Sequence, residues 1–424
     1  MHEFHYRGNK LYCEGVEISR IAEKFGTPLY IYSRKTLSDH YRKIAQAFRS
    51  LKPLICFSVK ANSNLAVLKV LANLGAGMDV VSGGELYQAL KAGAAPKKIV
   101  YAGVGKSKSE IAQAVREGIL FFNVESLPEL ALIDQVAGQL HKKVNVCLRI
   151  NPDINPHTHR FITTGRVLNK FGLDMQTAED IFLRRSIFSN LNLIGLHIHI
   201  GSQITEPKPF VQAIKKALRL ITRLKNSHVA LKYFNIGGGL GIVYHREHPQ
   251  TAKEFAAAVL GLLQGTGLKV ILEPGRFIAG NSGILVTRVV YIKKTEHKDF
   301  AIVDAGMNDL IRPALYDAYH EILPVIKTSR PADQPTSRPK YDIVGPICES
   351  ADFLAKDRIL PNLQAGNLLA VMGAGAYGFT MSSNYNSRLR TCEILVEGKR
   401  FFLVRKRETY RDLIRQQIIP RNLR

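Results

Sequence analysis

Several apolar runs of this chain end in a residue that could do chemistry. The most informative run is Leu54–Val59, which is followed directly by Lys60. Burial disfavours a charged ammonium group, so a lysine whose stem starts inside a packed strand tends towards the neutral, nucleophilic amine. Such an amine can form a Schiff base with a carbonyl compound. Lys60 is therefore a candidate catalytic residue, whereas an ordinary lysine would be a solvated surface charge.

Two later runs end in groups that suit a phosphorylated ring. The cluster Gly237–Gly239 can bring backbone N–H groups onto a phosphate, and the alternative is a tight structural turn. Its spacing fits neither a dinucleotide fingerprint nor a Walker loop. Glu273 could keep a pyridine nitrogen protonated, or could instead cap a helix or pair with Arg276. With Lys60, these groups are the ones needed to hold pyridoxal phosphate (PLP).

Two histidines and a serine stand at the end of another run. His197 and His199 alternate along a predicted strand, which predicts that their side chains point to opposite faces and that one of them is functional. A zinc site built from the pair is disfavoured for the same reason. Ser202 follows closely and can donate its hydroxyl to a phosphate.

Eight apolar runs separated by amphipathic helical stretches make up residues 32–281. This alternation is typical of parallel βα units and predicts a (β/α)₈ barrel, with a doubly wound open sheet as the alternative. The barrel is favoured because candidate functional residues follow nearly every strand. The predicted strands are Leu54–Val59, Gly77–Val81, Ile99–Ala102, Leu120–Val124, Val144–Ile150, Leu193–His199, Tyr233–Ile236 and Lys269–Glu273.

The remaining sequence predicts a mainly β domain, formed by residues 1–31 together with residues 282–424. Residues 28–32 resemble a strand that pairs with the C-terminal part of the chain, and Thr328–Pro339 is predicted as a loop. The predicted strands of this domain after the barrel are Ile284–Lys293, Asp299–Asp304, Lys340–Val344, Asn367–Met372 and Arg388–Val396.

Composition is that of an ordinary globular enzyme, except for its charge. The 424 residues are 46% hydrophobic and 22% charged, with a net charge of +24. The basic residues are spread along the chain without a nucleic-acid-binding motif, so a basic surface for anionic small molecules is favoured over nucleic-acid binding. Five isolated cysteines suggest neither disulfides nor a metal site and favour the cytoplasm. A membrane span, which needs about 20 apolar residues, is not expected.

Longer motifs resemble a known family. Phe57–Asn62, Gly77–Glu85, Gly195–Ile204, the glycine cluster and Glu273–Arg276 resemble the fold-type III PLP-dependent decarboxylases. Three stretches of the second half narrow the resemblance to the diaminopimelate decarboxylases within that family: Asp304–Tyr316, Gly345–Phe353 and Gly373–Arg388. The resemblance covers almost the whole chain in order.

This resemblance implies a role for each matching residue. Lys60 would attach PLP covalently, His199 would stack on its ring, Asp79 would contact it and Glu273 would hold the pyridinium. The phosphate would lie among Ser202, Gly237, Gly238, Gly239, Pro274, Gly275, Arg276 and Tyr377. Substrate would be bound by Arg276, Arg312, Tyr316, Glu349 and Tyr377, and Cys348 would return a proton. The resemblance also implies a homodimer in which the Cys348-Glu349 loop completes the partner's active site.

The expected reaction is decarboxylation of meso-2,6-diaminopimelate to L-lysine and carbon dioxide. Arg312 can bind the distal carboxylate of such a substrate in a bidentate manner, and Glu349 can pair with the distal ammonium. The alternatives are a related decarboxylase for carboxynorspermidine, ornithine or arginine, and a non-catalytic protein that binds PLP or nucleic acid.

Overall fold

A computed structural model describes residues 2–155, 170–327 and 339–423. The chain divides into two compact units, one formed by Leu37–Ala279 and the other by Met1–Thr36 with Gly280–Arg424. Of the loop predicted at Thr328–Pro339, residues 328–338 lie outside the described residues.

The chain begins with short strands that belong to the second of these units. Strands β1, β2 and β3 form a small antiparallel sheet. The elements up to the barrel are β1 Phe4–Arg7, β2 Lys10–Cys13, β3 Val16–Glu17, α1 Ile18–Phe25, β4 Leu29–Ser33 and α2 Arg34–Ala47.

The unit of Leu37–Ala279 contains a closed parallel barrel, which confirms the predicted (β/α)₈ architecture and rules out the open sheet. Each predicted strand exists, with ends that differ from the prediction by at most two residues. The strands are β5 Leu54–Ser58, β6 Gly77–Val80, β7 Ile99–Tyr101, β8 Phe121–Val124, β9 Val144–Arg149, β10 Leu191–His197, β11 Tyr233–Asn235 and β12 Lys269–Leu272. The helices are α3 Leu65–Asn73, α4 Gly83–Lys91, α5 Lys108–Glu117, α6 Leu127–Gln139, α7 Met175–Leu183, α8 Lys208–Asn226, α9 Ala252–Gln264 and α10 Arg276–Ala279.

Capping residues fix where several barrel helices begin. At the start of α5, the Ser107 hydroxyl accepts a hydrogen bond from the backbone N–H of Glu110, whose carboxylate accepts one from the backbone of Ser107. Thr251 and Glu254 make the same reciprocal arrangement at α9. Backbone hydrogen bonds from Gly83 and Ser107 lower the pKa of Glu110 to about 2. The cap therefore stays intact throughout the neutral range.

The other unit is mainly β, as predicted, and uses both ends of the chain. Strand β4 lies between β13 and β19 in a sheet of order β17-β16-β14-β13-β4-β19-β20. Strands β15, β17 and β20 and helix α1 were not predicted. The elements after the barrel are β13 Gly283–Lys294, β14 Asp299–Val303, α11 Arg312–Tyr316, β15 Ile322–Pro324, β16 Lys340–Val344, β17 Phe353–Ile359, β18 Leu368–Val371, β19 Cys392–Glu397, β20 Arg400–Arg405 and α12 Tyr410–Ile414. Among the described residues, no helix has the length and apolar character needed to cross a membrane.

Candidate active site

Lys60 lies in a short 3-10 turn immediately after β5, at the carboxyl end of the barrel. Its Nζ is 3.0 Å from Oδ2 of Asp79, which also accepts a 2.7 Å hydrogen bond from the Ser58 hydroxyl. The Asp79 side chain is fully buried, whereas 36% of the Lys60 side chain is exposed. Burial and the nearby Glu273 raise the pKa of Asp79, and Lys60 opposes both effects. The structure thus places an accessible amine against a buried acid.

Glu273 follows β12 and is held by three neighbours. Its Oε1 accepts hydrogen bonds from the side-chain amides of Asn123 at 3.2 Å and Asn235 at 2.5 Å. Its Oε2 is 3.2 Å from Nε2 of His197. Burial alone would raise the pKa of Glu273, but His197 and Lys60 outweigh it, so the pKa is lowered. Glu273 is therefore a buried carboxylate that keeps its negative charge.

Sequence reasoning missed Asn123 and Asn235, the two amides that hold Glu273. Both are fully buried, Asn123 within β8 and Asn235 as the last residue of β11. The sequence feature that could have identified them is an amide residue inside an otherwise apolar run. A buried polar side chain needs a hydrogen-bond partner, so such an amide indicates a polar group nearby. Such a residue near the carboxyl end of a barrel strand points towards the site.

The prediction that His197 and His199 point to opposite faces assumed a strand that includes both residues. Strand β10 ends at His197, so the alternation of a strand does not extend to His199. Burial, together with Arg149 and Lys60, lowers the pKa of His199 well below its usual value. Nδ1 of His199 accepts a 3.2 Å hydrogen bond from the backbone N–H of Gly238, so the neutral ring carries its proton on Nε2.

The glycine cluster forms a turn in which the backbone packs too closely for side chains. A Cβ added to Gly238 would be 2.0 Å from the carbonyl oxygen of Glu273. At Gly237 and Gly239 it would be 2.4 Å from backbone oxygens, and both residues have positive φ, at 69° and 110°. The packing therefore requires glycine at these positions.

Arg276 adds a cation to this end of the barrel. Its Nη2 donates a 3.0 Å hydrogen bond to the Ser202 hydroxyl, and its Nη1 donates a 2.8 Å hydrogen bond to the hydroxyl of Tyr244. A cation and a hydroxyl are donors that a phosphate monoester can use. Tyr244 is a member of this cluster that sequence reasoning missed.

These residues fit PLP. Lys60 supplies the amine, Glu273 an anion for a pyridinium and His199 a neutral flat ring. Ser202 and Arg276, beside the close-packed glycine turn, supply donors for the phosphate. All of the cofactor-binding residues predicted between Lys60 and Arg276 belong to the barrel unit, on or just after strands β5, β6, β10, β11 and β12.

The other predicted site residues belong to the mainly β unit. Arg312 and Tyr316 begin and end helix α11. The thiol-bearing residue Cys348 is exposed, and its backbone N–H donates a 3.0 Å hydrogen bond to Asn386. Glu349 and Tyr377 are the other predicted site residues of this unit. Glu349 accepts a hydrogen bond from the Tyr385 hydroxyl. Tyr377 has a φ of 57°, an uncommon conformation for a residue with a side chain.

Comparison with known proteins identifies the class. Residues 34–280 match the family described as pyridoxal-dependent decarboxylase, pyridoxal binding domain, and the chain belongs to this family. It is 50% identical to diaminopimelate decarboxylase of Pseudomonas aeruginosa over 413 residues, which cover 97% of this chain and 98% of that protein.

Solved structures agree over nearly the whole length. Diaminopimelate decarboxylase from Helicobacter pylori complexed with L-lysine is 41% identical, with a TM-score of 0.89 and coverage of 94% of this chain and 98% of the other. The enzyme from M. jannaschii in complex with L-lysine is 38% identical, with a TM-score of 0.93 and full coverage of both chains.

Proposed function

We propose that this protein decarboxylates meso-2,6-diaminopimelate to L-lysine and carbon dioxide, the last step of lysine biosynthesis. The observation that carries the proposal is the shared position of the Lys60 amine and the buried Glu273 carboxylate at one end of the barrel. The substrate is taken from the diaminopimelate decarboxylases that match nearly the full length of the chain, which also disfavours the alternatives acting on carboxynorspermidine, ornithine or arginine.

The barrel residues divide the chemical work among them. PLP, when bound, would supply the electron sink that decarboxylation needs. Lys60 would hold the cofactor through its amine, which Asp79 orients. Glu273 stays anionic and so would keep a pyridine nitrogen of the cofactor protonated. His199, kept neutral by its surroundings, would contact the cofactor ring without adding a positive charge.

We propose that the mainly β unit supplies most of the substrate contacts. Arg312 binds the distal carboxylate and Glu349 the distal ammonium, since each charge matches its partner. Tyr316, Tyr377 and Arg276 complete the substrate set, and Cys348 returns a proton to the α-carbon. The exposure of the Cys348 thiol supports this last role.

The remaining proposals concern organisation. We propose that residues 32–281 act as the PLP-binding domain, and that residues 1–31 with 282–424 act as a second domain that supplies substrate-binding residues. We propose a homodimer with shared active sites. The cytoplasmic location also stays a prediction, with five free cysteines as its support.

Replacement of Lys60 tests the proposed function. The variant Lys60→Ala is expected to lose the near-visible absorption of the bound cofactor, and its turnover should fall by roughly 1,000-fold or more. Borohydride reduction of the wild-type protein should label the peptide that contains Lys60. The control is Lys253→Ala, at an exposed position in α9, which should behave as wild type. Full turnover in Lys60→Ala would refute the assignment.

Substrate identity is tested by carbon dioxide release. The purified protein is assayed with meso-2,6-diaminopimelate, ornithine, arginine and carboxynorspermidine at equal concentrations. Release from diaminopimelate alone is the expected result. A preference for one of the other three would replace the proposed substrate while leaving the chemistry at Lys60 unchanged.

A further inference from the structure

Arg312 is held by a buried histidine that no proposed step has used. Its Nη1 is 2.9 Å from Nε2 of His320, and both side chains are buried, with residue exposures of 6% and 0%. The other ring nitrogen of His320, Nδ1, is 2.7 Å from the carbonyl oxygen of Met372. Both nitrogens of the ring are therefore engaged, one by a cation and one by the backbone.

These two partners fix the protonation state of the ring. A guanidinium group can only donate hydrogen bonds, so Nε2 of His320 must be the acceptor. A carbonyl oxygen can only accept, so Nδ1 must carry the proton. His320 is therefore the neutral Nδ1–H tautomer whenever both hydrogen bonds are present. A second proton, on Nε2, would break the bond to Arg312 and set two cations against each other.

The backbone around His320 is anchored in the sheet. Strand β15 begins two residues later and pairs with β18, and Met372 follows β18 directly. The backbone N–H of Met372 donates a 2.8 Å hydrogen bond to the carbonyl of Glu321. Helix α11, which carries Arg312, has only five residues and little rigidity of its own. His320 thus connects a short helix to a fixed edge of the sheet.

The charges that face His320 also favour its neutral form. Arg312 approaches from α11, and Arg358 of β17 donates a 3.4 Å hydrogen bond to the His320 carbonyl. The Arg358 guanidinium lies 3.7 Å from the ring centroid of Tyr319. Glu321 is the next residue in the chain, and it is exposed. The Arg312 guanidinium at Nε2 opposes the addition of a positive charge to this ring.

We propose that His320 is a positioning residue that, in its neutral Nδ1–H form, holds the Arg312 guanidinium in the orientation that binds the distal carboxylate of the substrate. This inference rests on the proposed role of Arg312. A bidentate contact between guanidinium and carboxylate requires a fixed plane, and fixing that plane before binding reduces the entropy lost when substrate arrives. His320 itself does not touch the substrate.

The test compares three variants of the holoenzyme. His320→Phe keeps the volume and removes both hydrogen bonds, and is expected to raise the KM for diaminopimelate roughly tenfold or more with a smaller change in kcat. His320→Gln places an amide oxygen where it can accept a hydrogen bond from Arg312. Its KM should therefore be much closer to the wild-type value than that of His320→Phe. His297→Phe, at an exposed position in the same unit, is the control and should match wild type.

The pH dependence gives a second readout. In wild type, the KM should rise towards acid pH, because protonation of His320 would remove the acceptor for Arg312. This rise should be smaller in His320→Gln, whose amide does not titrate. An unchanged KM in His320→Phe would overturn the inference. Equal losses in His320→Phe and His320→Gln would also overturn it, since they would indicate a purely structural role.

A spectroscopic measurement needs no variant to be active. In wild-type protein labelled with ¹⁵N-histidine, the His320 signal, identified by its loss in His320→Gln or His320→Phe, should have the shifts of the Nδ1–H tautomer at pH 7.5. The Nε2–H tautomer or the doubly protonated ring would overturn the inference. Absence of carbon dioxide release from diaminopimelate in wild type would instead refute the proposed function, and the tautomer result would remain interpretable.

Discussion

Glu273 keeps its charge in a buried position because its neighbours compensate for the loss of water. Two amides donate to one oxygen, and His197 faces the other. Lys60 and Glu273 were predictable from sequence, since each ends an apolar run with a reactive group. The supporting amides were not, because Asn123 and Asn235 lie over 100 residues apart in sequence and meet only when the barrel closes.

Removal of one supporting amide should weaken the cofactor site. Asn235→Leu keeps the approximate size of the side chain but leaves Glu273 without its 2.5 Å hydrogen bond. A hydrogen bond to a buried charge contributes about 1.5–3 kcal/mol, so the affinity for PLP should fall by roughly 10-fold or more. The measurement is a titration of the apoprotein with PLP, followed by absorbance.

The matched control for this prediction is Asn192→Leu, at an exposed position in β10 of the same barrel. Its affinity for PLP should equal that of wild type. Equal affinity in Asn235→Leu would contradict the view that the amide supports Glu273.

His199 should contribute to the pH dependence of stability. Its pKa is lowered in the folded protein, while the unfolded chain has the ordinary value of about 6.5. As the pH falls below 6.5, the unfolded chain binds a proton that the folded chain does not, so stability is lost by up to about 1.4 kcal/mol per pH unit. At higher pH both states are neutral and this contribution is constant.

The readout is a difference between variants, because other groups act in the opposite direction. Burial raises the pKa of Glu85 and that of Asp309 to about 7, so these acids stabilise the folded protein as the pH falls from 7. The free energy of unfolding is measured by urea titration at pH 7.5 and at pH 5.5. The loss of stability that His199 causes between these two pH values should be absent in His199→Phe and present in wild type and in the control His297→Phe. An identical pH dependence in His199→Phe would exclude this role.

At the scale of elements, the barrel strands were predictable because each is a short apolar run that ends in a polar residue. The errors arose at strand ends: β10 stops at His197, and the alternation used to place His199 fails beyond it. In the mainly β unit, β15 and β20 were missed. Strand β15 has only three residues, and β20 alternates poorly between buried and exposed positions, so neither carries a clear period-two pattern.

The turn after β11 gives a prediction at the same scale. In Gly238→Ala the new Cβ would stand 2.0 Å from the Glu273 carbonyl oxygen, so the turn must move. We expect a loss of PLP affinity of at least about tenfold together with a lower thermal midpoint, because an overpacked site costs about 1–3 kcal/mol.

The control for Gly238 is a glycine with free space around it. Gly261 lies in α9, and a Cβ there meets nothing within 4 Å. Gly261→Ala should raise stability by about 0.5–1 kcal/mol, because alanine is the better helix former. The same thermal and PLP measurements on both variants separate a specific effect at the turn from a general effect of added methyl groups. An unchanged PLP affinity in Gly238→Ala would contradict the proposal that this turn forms part of the phosphate site.

At the scale of the whole molecule, chain order alone could not give the assembly of the mainly β unit. Strand β4 pairs with β13 and β19, which lie about 250 and 360 residues later. For such non-local pairing, the sequence shows only an apolar strand that has no partner nearby in the chain. The sequence therefore predicted that β4 belongs to the sheet but not the order of the strands. The net charge of +24 has no structural explanation.

The proposed homodimer yields a prediction that neither single chain could satisfy. Lys60→Ala and Cys348→Ala should each be inactive alone. If the Cys348-Glu349 loop of each protomer completes the partner's active site, a mixed dimer contains one intact site, formed by Lys60 of one protomer and the partner's Cys348. Random exchange of equal amounts makes half of the dimers mixed, so activity should return to about a quarter of the wild-type value. The measurement is carbon dioxide release after mixing and reassociation, with each variant mixed with itself as the control. No recovery, in a mixture that light scattering shows to be dimeric and exchanged, would mean that each protomer uses its own Cys348.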